Sequence, residues 1–191
     1  MQTIRPKQPR TETGRIALYG SEALIRLATT GDAEVLRDLG ISSFVAAFGA
    51  LYRPADLNAF LADNYALEIW KRQIGQPDRP IWVAEAPDGR LVGYAQAGAC
   101  ELPVTPLPED SLQLHRLYVR PGTLSAGIGS ALMSQVLEWV DTSGRPPLFL
   151  GVWSGNEGAQ RFYARYGFYK VGEYDFPVGE QIDLEYILRR D

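Results

Sequence analysis

Residues 112–133 read LQLHRLYVRPGTLSAGIGSALM. The run of Leu, Tyr and Val over 112–119 predicts a strand. Pro121 and Gly122 stop it. Gly127-Ile128-Gly129 then leads into a helix, because Ile128, Leu132, Val136 and Val140 recur every four residues and Met133 and Leu137 widen the stripe. Within the strand the apolar phase slips. Leu112 and Leu114 share one face, whereas Leu117 and Val119 share the other. One extra residue on a strand produces such a slip, which predicts a bulge near His115–Arg116. A central strand covered on both faces, apolar throughout and without clean phase, is the alternative.

A strand that enters a helix through glycines has the chemistry of an anion site. The first helical N–H groups lack partners, the dipole is positive there, and glycine lets oxygens approach the backbone. A tight turn that simply needs glycine is the other reading. Gly-Lys-Ser/Thr is absent from the turn, so nucleotide hydrolysis is not supported.

Outward from this centre the chain alternates in type. EALIRLA (22–28) reads as a strand, and Thr30 as the cap of a helix carrying Asp32 and Glu34 in its first turn. Pro54 stands at a first helical position in RPADLNAFLADN, and YALEIWKRQI continues as a further helix. PIWVAEA and RLVGYAQAGAC flank Pro-Asp-Gly as a hairpin, and residues 101–110, with three prolines, form a loop. After the central helix come a buried strand (147–153), a short helix ending at Gly167, and two closing strands. The expected class is α/β: a mixed, mostly antiparallel sheet of about 6–7 strands with helices on both faces. Residues 1–20 read as a flexible arm or an added edge strand, and 21–191 as a single domain.

Composition narrows the chemistry. At 191 residues and 46% hydrophobic content the chain can build one real core. No apolar run approaches the roughly 18 residues of a membrane span, and no apolar stretch of secretory type follows the basic start. Residues 1–20 carry a net +3 and the remainder −7, which argues against nucleic acid as the main partner. The negative remainder suits a cationic substrate, or merely solubility. One cysteine, Cys100, excludes an internal disulfide framework and fits a reducing cytoplasm; with His115 the only histidine, no His/Cys zinc site is expected.

LYVRPGTLSAGIGSALM (117–133) and LGVWSGNEGAQRFYARYGF (150–168), in this order, resemble the Gcn5-related N-acetyltransferase superfamily, called GNAT. That family has a Gly-x-Gly turn after a V-x-P strand end, then N-x-x-A-x-x-F-Y-x-x-x-G-F. Asn156, Ala159, Phe162, Tyr163, Gly167 and Phe168 match the second pattern in full. The resemblance spans residues 22–190. SLQLHRLYV and YDFPVGEQIDLEY are similar to bacterial PaiA-type spermidine/spermine acetyltransferases. The family's Gln/Arg before Gly-x-Gly is Leu124 here, and a common glycine is Ser125.

The resemblance implies an acetyl-CoA-dependent N-acetyltransferase without a metal, working by direct transfer to a primary amine. A polyamine-like small molecule is the favoured acceptor. A protein N-terminus or lysine, or a catalytically weak CoA-binding sensor, are the alternatives. No nucleic acid or membrane partner is implied, and a homodimer is left open. It further implies that pantetheine amides pair with Leu117, Tyr118 and Val119. The diphosphate would sit on Ser125, Ala126, Gly127, Ile128, Gly129 and Ser130, with Leu124, Asn156, Ala159 and Phe162 also at the cofactor. Tyr163 would protonate the departing thiolate. Where PaiA-like chains place strand glutamates, this one has Gln113 and His115. His115 is the candidate base, with Glu101, Glu109 and Asp110 as rivals; Asp175 and Asp183 are candidates to hold a cationic amine.

Overall fold

The computed structural model describes residues 14–18, 21–120, 122 and 127–191. Its strands are β1 (Gly14–Leu18), β2 (Ser21–Leu27), β3 (Ile81–Glu85), β4 (Leu91–Ala99), β5 (Leu112–Val119), β6 (Leu148–Trp153), β7 (Tyr169–Val178) and β8 (Gln181–Arg190). The helices are α1 (Ala33–Phe48), α2 (Pro54–Asn64), α3 (Leu67–Gln73), α4 (Ile128–Thr142) and α5 (Glu157–Ala164). The described strands form one sheet in the order β1-β2-β3-β4-β5-β6-β8-β7. All pairings are antiparallel except β5–β6, which is parallel and joined by the crossover helix α4. This is the expected α/β class with one strand more than counted from sequence. The addition is β1, an edge strand whose Gly14–Leu18 pair with Ile25–Ser21 of β2.

Helices cover both faces. Every member of the four-residue stripe in α4 is buried, and its Trp139 lies edge-on to Trp82 with ring centroids 6.1 Å apart. On the other face Leu36, Leu39 and Phe44 of α1 and Trp70 of α3 cover Ile81, Val83 and Tyr94. Among the described residues no helix is long and apolar enough to cross a membrane.

The phase slip in β5 is a bulge. Gln96 of β4 pairs with Arg116 and the next residue, Ala97, with Leu114, so His115 is the extra residue. Leu114 and Leu117 consequently both pack on the α4 side, and His115 and Arg116 both fall on the α1–α3 side. β5 pairs with β6 only at Leu112–Leu148 and Gln113–Phe149. Beyond Gln113 the two strands diverge, leaving the β6-facing edge of β5 without strand partners among the described residues.

One local expectation is corrected. The first turn before α1 is 3-10 (Thr30–Asp32) and is capped by Thr29, not Thr30. The Asp32 carboxylate closes the turn, accepting from the Thr29 N–H at 2.7 Å and its hydroxyl at 2.9 Å. Arg26 donates to the same carboxylate at 2.8 Å. The Arg26 hydrogen bond, then those from Thr29, hold the carboxyl down from 3.8 to about 2 against the opposing effect of burial. A carboxylate depressed in the folded state stabilises above its unfolded value. That contribution is lost as pH falls from about 4 through about 2. Asp32→Asn should therefore lower the melting temperature at pH 7 and flatten its acid dependence over that interval.

Candidate active site

The divergence of β5 from β6 opens a cleft of about 1510 Å³. Leu117, Tyr118 and Val119 of the open β5 edge line it, together with Gly127, Gly129 and Ser130 of the turn into α4. From α5 and its start come Asn156, Ala159, Phe162 and Tyr163. Most of the residues expected at the cofactor therefore meet in one place. Ile128 is 1% exposed and belongs to the core beneath, because it opens the apolar stripe of α4. Leu124, Ser125 and Ala126 lie outside the described residues.

At the α4 start Gly127 has φ +80, a left-handed conformation that glycine adopts without penalty. Its carbonyl accepts the Ala131 N–H at 3.0 Å, so the earlier N–H groups of the first turn have no intrahelical acceptor. Gly129 lies between: a Cβ there would stand 3.7 Å from Phe162 and Val119, ordinary contact. An open strand edge plus this glycine-lined helix start fits a ligand with an amide-bearing arm and a diphosphate. Gly129→Val should keep the fold but fill the approach to the backbone. Its CoA affinity, measured by calorimetry, should fall while its melting temperature without ligand stays close to wild type.

Asn156 caps α5, its Oδ1 accepting from the Ala159 N–H at 3.0 Å. Two turns on, Tyr163 is 9% exposed and packs edge-on to Phe162 (5.4 Å) and Phe168 (5.8 Å). Burial pushes its phenol above the ordinary tyrosine range. The side chain thus stays protonated and can donate.

The opposite wall is acidic and aromatic. Asp183 and Glu185 alternate along β8 onto the α1–α2 side, and both line the cleft. The Tyr52 hydroxyl donates to Asp183 at 2.5 Å, and the Tyr174 hydroxyl to Glu185 at 2.5 Å. Burial pushes the Glu185 carboxyl up; Tyr174 opposes this and Asp183 adds to it. Gly151 of β6 makes the arrangement possible, since a Cβ there would come within 2.6 Å of Glu185 Oε2 and 2.7 Å of Tyr174 Oη. Glu185 thus lies over β6, two residues beyond the last β5–β6 pair. Stacked Phe44 and Phe60 (4.9 Å) and edge-on Phe48 and Trp153 (6.1 Å) complete the wall. Sequence reasoning found Asp183 but missed Glu185, Tyr174 and Tyr52. Asp175 is exposed on β7 and does not line the cleft.

His115 lines the cleft, with its side chain 9% exposed and Nδ1 3.9 Å from Glu101 Oε2. Arg79 donates to the same Glu101. Burial, then the charges of Arg79 and Arg116, lower the imidazole from 6.5 to about 4. The histidine is therefore neutral at physiological pH, and its charging lies well below the range expected from sequence. Of its rivals, Glu101 lines the cleft and Glu109 and Asp110 do not. Cys100 is half-buried with its thiol pushed up by burial, the opposite of an activated nucleophile. Among the described residues no group of three or more His, Cys, Asp or Glu could hold a metal ion.

A strand bulge, a divergent strand pair and a glycine-started helix around one cleft define a GNAT-type acyltransferase, and comparison with known proteins agrees. The chain belongs to the Acetyltransferase (GNAT) family, whose model matches residues 45–168. It is 30% identical over 160 residues to an uncharacterized N-acetyltransferase of Mycobacterium tuberculosis, covering 84% of this chain and 97% of the relative. Among solved structures it is similar to the PaiA N-acetyltransferase of Thermoplasma acidophilum in complex with coenzyme A. The TM-score is 0.70 at 20% identity, over 87% of this chain and 96% of that one. It is also similar to Arabidopsis thaliana NAA60 in complex with a bisubstrate analogue, with a TM-score of 0.68 at 20% identity over 86% and 96%. Membership makes the chain an acyltransferase of the N-acetyltransferase type.

Proposed function

We propose that this protein transfers the acetyl group of acetyl-CoA directly to a primary amine, with the cofactor arm along the open β5 edge and its diphosphate at the α4 start. The observation that carries the reading is the end of β5–β6 pairing at Gln113, which leaves the Leu117–Val119 edge available beside Gly127 and Gly129. Asp183 and Glu185 hold the incoming ammonium, whose ordinary pKa of about 10 keeps it charged in water. Glu185, raised by burial and lying over Gly151, accepts the proton the nitrogen must lose and passes it to solvent. The N–C bond forms, the C–S bond breaks and Tyr163 gives its proton to the sulfur; the second proton the nitrogen sheds as it becomes an amide returns through water to the phenolate. His115 points elsewhere, its Nδ1 toward Glu101 and its Nε2 toward Gly98 of β4, away from the Gly151 edge where Glu185 lies. We therefore assign it no proton transfer.

The PaiA-type resemblance implies a polyamine acceptor; the two carboxylates of β8 suit the reacting ammonium of any primary amine and do not by themselves select a second one. The test is thiol release from acetyl-CoA across a panel of polyamines, amino acids, aralkylamines and short peptides. Saturable release with at least one primary amine is expected. The same slow background with every amine would overturn the reading.

A further inference from the structure

We infer that the acceptor carries an anionic group, a carboxylate in the first instance, several bonds from the amine that is acetylated. This rests on the acetyl-transfer reading and deepens it. The cleft wall facing Asp183 and Glu185 is cationic: Arg72 of α3, Arg79 before β3 and Arg116 at the bulge all line it. Arg116 is the most telling. The bulge turns it onto the acceptor side, where its guanidinium stacks over Tyr65 at 4.6 Å and Trp70 at 5.1 Å. Nη2 donates to the Asn64 carbonyl at 3.2 Å, and Nη1 is buried without a hydrogen-bond partner. Among the described residues neither Arg116 nor Arg72 forms an ion pair, and Arg79 is matched only by Glu101, itself 61% exposed.

A guanidinium enclosed by ring faces and one carbonyl recovers part of its lost hydration, but not the energy of a counter-ion. The groups beside it supply none. Gln96, opposite it on β4, is neutral and donates to the neutral Gln73 at 2.9 Å, and His115 is uncharged at pH 7. A second ammonium reaching this wall would meet Arg116 and Arg72 without counter-ions among the described residues, whereas a carboxylate would be attracted by both; Arg79 is already matched by Glu101, which lines the same cleft. The two carboxylates opposite are each engaged by a tyrosine and lie on β8, with β6 between them and β5. Neighbouring strands stand about 4.8 Å apart, and β5 and β6 diverge, so the amine over Gly151 and an anion at Arg116 are separated by more than that spacing. An ω-amino acid or a short peptide, whose charged ends stand several bonds apart, fits that interval.

The test compares three amines of one chain length that differ only at the far end: δ-aminovalerate, its amide, and cadaverine. Each is titrated calorimetrically into the CoA-loaded wild-type protein and assayed with acetyl-CoA by thiol release. The carboxylate should bind about tenfold or more tightly than the amide, and cadaverine more weakly still. Arg116→Gln should remove most of that preference, and Arg116→Lys should retain part of it. Arg72 is an exposed residue whose replacement leaves the core untouched, so Arg72→Gln reads the same wall even if Arg116→Gln does not fold. Equal affinity for the three amines, including no binding of any, or a preference for cadaverine, would overturn the inference. A carboxylate preference in binding without any thiol release would instead sink the acetyl-transfer reading and leave the anion subsite standing.

Discussion

Glu185→Gln is expected to lower kcat roughly 10²- to 10⁴-fold while leaving CoA affinity unchanged. The substitution keeps the shape of the side chain, and its amide oxygen can still accept from the Tyr174 hydroxyl, so positioning is conserved and only proton acceptance is lost. Stability separates this from a structural role. The Glu185 carboxyl is raised by burial, hence its charged form is disfavoured by folding, and at neutral pH that charge is a cost. The Gln variant should melt at the same or a higher temperature. In the wild type, kcat/KM should fall on the acid side as Glu185 takes up a proton, with the limb above the ordinary 4.5 of a glutamate. The limb should vanish in Glu185→Gln and persist in His115→Ala, because the imidazole charges only near 4. A limb abolished by His115→Ala would return the proton to the bulge.

Tyr163→Phe is expected to lower kcat about 10²-fold. The ring that packs against Phe162 and Phe168 is retained, so the melting temperature and CoA affinity should hardly change. What is lost is one hydroxyl proton, present at neutral pH because burial opposes phenolate formation, and drawn off only as negative charge develops on the sulfur. The loss should be greatest for the thioester of CoA, whose thiolate needs that proton to depart, and small for donors with a better leaving group. Wild-type kcat in Tyr163→Phe would reduce Tyr163 to packing.

The sheet centre was legible because its signals are local. A bulge must shift the apolar phase, and Leu114 and Leu117 register that shift three residues apart. A left-handed turn needs glycine, and Gly127 and Gly167 occupy such positions at φ +80 and +83. The acceptor wall was not legible, for a physical reason. In Gln181–Arg190 the acids Asp183 and Glu185 alternate with Leu184 and Tyr186, the pattern of a strand with one wet face. Only the placement of Tyr52 just ahead of α2, and the bare Gly151 on the neighbouring strand, turn that face inward. These partners are 131 and 34 residues away in the chain, beyond any local periodicity. Arg116 shows the same limit. The phase slip located the bulge, but the burial of its guanidinium depends on Tyr65 and Trp70. His115 had the right residue type for a base; its charge is suppressed first by burial and then by Arg79, brought in from before β3, with only the adjacent Arg116 visible locally.

Direct transfer between two ligands in one cleft is the centre of this account. Mass spectrometry of both protein and amine after a single turnover with acetyl-CoA examines it most directly. The account predicts acetylated amine equimolar with free CoA, a protein mass unchanged at every time point, and loss of both products in Gly129→Val. An acetyl group on the protein before it reaches the amine, or free CoA without acetylated amine, would contradict it.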